Sequence, residues 1–340
     1  MTPSKHVATI AAVKIMNQRK IGSAVAFLAF IALVLAGCNR DGGGGAVKIV
    51  KLAFVTNNAS DFWKIAAAGV HKYENEAKIQ VDIKMPPSGK TEEQNQVLEN
   101  LSSQGYDGIA VSVIAPNDQV VILNKVAEKT KLITFDSDAP KSNRLLYIGT
   151  NNYEAGKILG NEIVKLLPNG GKLAVFVGML GADNATQRFK GIQDAISGHK
   201  IEVVDKREDN TDRAKARSNV EDMINAHSDL SMCVGLWNYN GPAIAAAIEA
   251  LGKKGKVLAV AFDEDDGTLE GVANGTIQAT VVQKPFDFGY LSSKWMHELA
   301  IKGQTAKATL PATHIIDTGV TVVRKDTVAD FKQKLAEMKK

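Results

Sequence analysis

From Lys48 onward, short apolar runs alternate with longer amphipathic ones. Ile49–Asn57 reads as a strand and Phe62–Ala77, with apolar positions three and four apart, as a helix. Ile79–Met85 is again strand-like, and Thr91–Gln104 is helical, with Thr91 and Gln94 spaced for a capping box. Gly108–Val113, Asn117–Lys129 and Leu132–Asp136 continue as strand, helix and strand. The rhythm then restarts. Asn151–Leu167 is a helix closed by Pro168-Asn169-Gly170-Gly171, followed by strand Lys172–Val177, helix Ala185–Ile196 and strand Ile201–Lys206. Helix Asp212–Ala226, strand Met232–Leu236, helix Gly241–Ala250 and strand Val257–Asp263 complete it. Such alternation predicts parallel sheets covered by helices on both faces. Two successive runs predict an α/β chain of two doubly wound lobes with a cleft between them.

In doubly wound sheets, ligands bind beyond the carboxyl ends of the strands. Those ends are rich in polar chemistry. They carry Asn57 with Ser60, Phe62 and Trp63; Ser112; Asp136 and Asp138; Asn184 and Arg188; Thr211; Trp237 and Asn238; Asp263; and Gln283. Hydroxyls both donate and accept, so carboxylates, amides and a guanidinium suit a polyhydroxylated ligand. Aromatic rings offer flat apolar faces to sugar C–H groups. No Walker loop, Gly-x-Ser-x-Gly elbow or Gly-x-Gly-x-x-Gly after a strand is present, and the six histidines have no metal-ligand spacing. No cofactor and no metal are expected. Glu264, Asp265 and Asp266 read as a solvated run opening a helix.

Composition changes the picture at one end. The 340 residues are 45% hydrophobic and 23% charged, enough for a sizeable core. The net charge of +4 comes from Lys5, Lys14, Arg19 and Lys20, and beyond Gly37 acids and bases balance. The basic balance therefore points to no nucleic-acid partner. Arg19 and Lys20 precede an apolar run, Ile21 to Leu35, short for a bilayer span and of signal-peptide length. Leu35-Ala36-Gly37-Cys38 resembles the lipobox of bacterial lipoproteins, which implies cleavage before Cys38 and lipidation of its sulfur. Met16 offers an alternative start. Asn39 to Gly45, with four consecutive glycines, reads as a flexible tether. Cys233, in an apolar strand, reads as a buried structural thiol without a disulfide partner.

The order of the strand-end residues resembles the ribose-type periplasmic binding proteins, from about Lys48 to the C-terminus. The resemblance implies a type I fold whose lobes are joined by three hinge crossings, near Thr150-Asn151, Gln283-Lys284 and Pro311. The expected division is 1–37 signal peptide, 38–47 lipidated Cys and linker, 48–150 plus 284–311 N-terminal lobe, and 151–283 plus 312–340 C-terminal lobe. It implies that Phe62 and Trp63 stack on a sugar, with Ser60 beside them, and that Asp136, Arg188, Asn238, Asp263 and Gln283 grip its hydroxyls. The chain departs from the ribose pattern at Ser137, Ser112 and Thr211, so Trp237 or Tyr239 becomes the candidate for the opposite sugar face. The implied protein is a monomeric, non-enzymatic, extracytoplasmic lipoprotein. It would bind a sugar or polyol and deliver it to an ABC permease in the membrane. The alternatives are a module reporting to a sensor kinase or chemoreceptor and, through Asp136-Ser137-Asp138, a metal-dependent glycosyltransferase.

Overall fold

The computed structural model describes residues 49–338; the expected signal peptide, tether and lipidation site at Cys38 lie outside the described residues. Two six-stranded sheets organise the chain. The first begins with β1 (Leu52–Val55), α1 (Asp61–Ala77), β2 (Val81–Lys84), α2 (Thr91–Ser103), β3 (Gly108–Val111), α3 (Val120–Lys129), β4 (Lys131–Phe135) and β5 (Leu146–Gly149). The second begins after α4 (Asn152–Leu166), with β6 (Gly171–Val177), α5 (Asp183–Ile196), β7 (Ile201–Glu208), α6 (Arg213–Ala226), β8 (Leu230–Gly235), α7 (Asn240–Ala250), β9 (Leu258–Phe262), α8 (Asp266–Asn274) and β10 (Ala279–Val282). The chain then returns through α9 (Pro285–Lys302) and α10 (Gln304–Lys307) to β11 (Ile315–Asp317), and ends in β12 (Thr321–Arg324) and α11 (Val328–Met338).

The strand orders are β11-β5-β4-β3-β1-β2 and β12-β10-β9-β8-β6-β7. Every pairing is parallel except β10 with β12. The central strands are buried on both faces, as their continuous apolar runs require. The doubly wound reading therefore holds. The third crossing does not lie near Pro311, however. Because β11 pairs with β5 in the first sheet and β12 with β10 in the second, the chain changes sheets between Asp317 and Thr321. A three-residue exposed strand has too little apolar patterning to announce itself.

Each sheet has one helix pair in near-backbone contact. A Cβ on Gly69 in α1 would lie 2.0 Å from the Phe286 carbonyl oxygen, and one on Gly289 in α9 1.9 Å from that of Ala66. In the other sheet, Gly156 in α4 abuts the Arg188 carbonyl at 2.1 Å and Gly191 in α5 that of Tyr153 at 2.1 Å. Glycine is required at such approaches because any side chain meets backbone. The helix entering each lobe after a crossing thus locks onto the helix that carries its strand-end residues.

The expected capping box at Thr91 and Gln94 does not form. The N-cap is Lys90, without a side-chain cap bond. Gln94 is fully buried instead, donating to the carbonyls of Thr56 (3.0 Å) and Ser112 (2.7 Å) and accepting from Ile114 N–H (3.2 Å). It ties together the loops after β1 and β3.

Candidate functional site

Asp136 and Asp263 follow the last residues of β4 and β9, and both take left-handed backbone, φ 57° and 69°. Such a conformation is costly for a non-glycine residue, so it needs external support. Both receive the same support. Asp136 N–H donates to Ile148 carbonyl (3.1 Å) while Tyr147 Oη donates to Asp136 carbonyl (2.8 Å). Asp263 N–H donates to Val281 carbonyl (2.9 Å) while Thr280 Oγ1 donates to Asp263 carbonyl (2.7 Å). A hydroxyl on the neighbouring strand thus holds each turn, one in each sheet, and both carboxylates leave the strand direction there.

Between them lies Arg188 of α5, 2% exposed. Its Nε donates to Asn152 Oδ1 (2.9 Å), one NH group donates to Leu236 carbonyl (2.7 Å), and the guanidinium lies over the Phe262 ring, 4.3 Å from its centroid. Burial alone lowers its proton affinity, while Asp263 and Asp136 raise it. Burial pushes the Asp136 carboxyl up to about 6; the Ser112 hydrogen bond and Arg188 oppose this, and Asp263 adds to it. Asp263 is raised as well, again by burial, against Arg188 and Gln283. Two acids and one arginine from both sheets therefore share one low-dielectric site, the arrangement expected where a ligand's own donors are to complete the network.

The first wall continues from Asp136. Ser112 Oγ donates to Asp136 Oδ2 (2.8 Å), Asn57 Nδ2 donates to Ser112 Oγ (3.1 Å), and Trp63 Nε1 donates to Asn57 Oδ1 (3.1 Å). This splits the aromatic pair. Trp63 is 2% exposed, edge-on to Phe135, and its N–H is spent on Asn57. It belongs to the core rather than offering a stacking face, because consecutive helical positions point in different directions. Phe62 stays half-buried, and Ser60 is exposed at the N-cap position of α1. On the second wall, Gln283 Nε2 donates to Asp263 Oδ1 (3.0 Å) and Trp237 Nε1 to Asn184 Oδ1 (3.1 Å), while Asn238 is half-buried. Trp237 packs against Gly178, where a Cβ would lie 2.2 Å from the ring.

Asp138 is a correction. Both of its oxygens are held by Arg144 (2.5 and 2.7 Å), and Thr134 Oγ1 adds a third bond at 2.6 Å. A forked guanidinium–carboxylate pair of this kind fixes the loop after β4. Asp136 and Asp138 consequently belong to separate networks and do not converge as a metal motif would need. Glu264 corrects the reading of a solvated acidic run: it is 5% exposed, and Asp265 caps α8 through Gly267 N–H (2.9 Å). Thr211 is exposed, φ 65°, beside Asn210 at φ 56°. Their turn is held by buried Asp209, which accepts from Thr211 N–H (2.9 Å), Tyr239 Oη (2.5 Å) and Asn240 Nδ2 (3.2 Å). Tyr239 is thereby tied down, which leaves Trp237 of the two aromatics expected for the opposite ring face. Sequence reasoning missed Tyr147, Asn152 and Asp209, since each acts through another residue. Their only signal was a polar group within a strand for Tyr147, at a helix start for Asn152 and just past a strand end for Asp209. Cys233 is buried and free, its thiol pushed up to about 12 by burial.

Two lobes whose strand-end acids converge on one arginine define a class, the two-lobed solute-binding proteins. The chain belongs to the periplasmic binding protein family: the family's domain model matches residues 52–305. The ribose import binding protein RbsB of Escherichia coli K12 is 28% identical over 220 residues, covering 63% of this chain and 73% of RbsB. The D-allose-binding periplasmic protein of the same strain is 28% identical over 263 residues, covering 72% of this chain and 83% of that protein. Among solved structures, an ABC transporter solute-binding protein of Burkholderia graminis in complex with D-arabinose is 33% identical. It superposes with a TM-score of 0.77, covering 83% of this chain and 98% of that one.

Proposed function

We propose that this chain binds a monosaccharide-like ligand between its lobes, outside the cytoplasm, catalyses no reaction on it, and hands it to an ABC importer. The observation carrying this reading is Asp136, Arg188 and Asp263, drawn from both sheets and mutually perturbed. Relatives named for ribose and allose, and a neighbour solved with D-arabinose, support an aldose-like ligand. Phe62 and Trp237 would cover the ring faces. Asn57, Ser112, Asn184, Asn238 and Gln283 would complete the hydroxyl shell, with Ser60 and Thr211 at the rim. A buried polar group left unpaired by a wrong epimer costs about 1–3 kcal/mol, so the site discriminates by hydroxyl pattern. Delivery is supported by apolar residues exposed beyond the strand ends of both sheets: Val121 in the first turn of α3 on one, Met179 and Leu180 in the loop after β6 on the other. Acyl chains on the sulfur of Cys38, which the expected cleavage leaves at the N-terminus, would tether the protein to the membrane.

The test is a thermal-shift screen of the full chain against pentoses, hexoses and polyols. A ligand at a hundred times its Kd adds about 2.7 kcal/mol to stability. A hit retained by wild type and lost in Arg188→Ala supports the reading. No shift with any sugar or polyol sinks it.

A further inference from the structure

A groove of about 640 Å³ runs between α1 of the first lobe and α11 of the second. Its floor is apolar: Ala67 and Ala68 on α1, Met85 after β2, and Phe286 at the start of α9. Its rim is cationic. Lys64 and Lys72 stand on α1 and Lys334 on α11, against a single acid, Glu337. Lys72 is paired with Glu76 (3.1 Å), whereas exposed Lys334 has no ion pair among the described residues. The cationic excess is local, because beyond Gly37 the chain has 37 basic residues (41 less the four before it) and 37 acidic ones. The floor is too apolar for a sugar, and the rim favours a negative head group.

We infer that this groove is a second ligand site, for a compact free amphiphile that carries one carboxylate, and that its occupancy acts on the sugar cleft. The chemistry follows from the lining: the hydrocarbon part covers Ala68 and Phe286, and the carboxylate faces Lys334, with the Lys72–Glu76 pair beside it. The coupling follows from position. Ile65 of α1 is buried within the core cluster of the second lobe, where Phe331 and Leu335 of α11 also pack. It lies one helical turn or less from both Phe62 at the cleft and Ala68 in the groove. A ligand touching both helices therefore bears on the lobe-to-lobe contact, and linkage makes the effect reciprocal.

The effector part rests on the sugar reading; the binding part does not, so octanoate binding is measured first without sugar. Calorimetry on the full chain is expected to show saturable octanoate binding, at least tenfold tighter than 1-octanol. Lys334→Glu weakens it several-fold, and Ala68→Phe, which fills the floor, abolishes it. Melting curves confirm that both variants are folded. With D-ribose or D-arabinose as the probe, saturating octanoate shifts sugar affinity at least threefold in wild type and not in Ala68→Phe. Absence of saturable octanoate binding, equal binding of octanol, or an unchanged sugar affinity would each overturn the inference. So would a concentration-dependent dimer, or capture by phosphatidylglycerol vesicles, that Ala68→Phe abolishes, since either assigns the groove to another occupant.

Discussion

At the residue scale, burial without neutralisation governs Asp136. Its carboxyl titrates near 6 because burial outweighs the Ser112 bond and Arg188. The sign of the pH effect follows. A carboxyl raised above its unfolded value, about 4, contributes most to stability below that value and loses this contribution as pH rises through about 6. Ligand hydroxyls donating to the ionised form would reverse the preference. Sugar affinity measured by calorimetry should therefore rise between pH 5 and 7, and Asp136→Asn should flatten that rise while weakening binding at pH 7. An unchanged pH profile in the variant would assign the titration to another group. Arg188 belongs to the same balance. Arg188→Met leaves two buried acids without their counter-charge and should destabilise the unliganded protein by about 3–5 kcal/mol, read from urea denaturation at pH 7. The loss should shrink at pH 5, where Asp136 is protonated.

At the element scale, the glycine crossings decide how accurately these residues are placed. Gly156→Ala drives a methyl group into the backbone of the very residue, Arg188, that the site depends on. Overpacking of this kind costs about 1–3 kcal/mol. A lowered melting point together with weakened sugar binding is expected, whereas Gly252→Ala, at a turn with open space around it, should leave binding unchanged. If Gly156→Ala lowered stability and left affinity intact, the crossing would be structural only. Two local expectations give way at the same scale. Thr91 and Gln94 had the spacing of a capping box, but Gln94 could satisfy four buried polar partners elsewhere, and burial outweighs a local cap. Trp63 stood beside Phe62 in sequence, yet one helical position turned it into the core.

At the scale of the whole molecule, the candidate site draws its residues from two sheets, so a ligand bound there would act on their separation. Small-angle scattering of the full chain is expected to show a smaller radius of gyration with saturating sugar, and Arg188→Ala should abolish the change. Closure of this kind concentrates motion in the crossing segments, which here are Thr150–Asn151, Gln283–Lys284 and the stretch between Asp317 and Thr321. The place of the third crossing matters, because β11 pairs within the first sheet and β12 within the second.

The sequence by itself determined the alternation of strands and helices, the restart after Asp136, and the concentration of polar and aromatic residues at strand ends. All of these follow from local periodicity and from the rule that parallel strands present their carboxyl ends to ligand. It also placed Asp136, Arg188 and Asp263 among the candidates. Only the tertiary structure separates Asp138, held by Arg144, from Asp136, held by Ser112 and set against Arg188 and Asp263. The two are two positions apart with the same chemistry, and only the left-handed backbone at Asp136 and the position of Arg144 separate them. Likewise the roles of Asn152, Tyr147 and Asp209, and the joining of α1 to α11 across the lobes, depend on contacts between distant segments. Periodicity records which face of an element is buried; it holds no record of the partner on the other side.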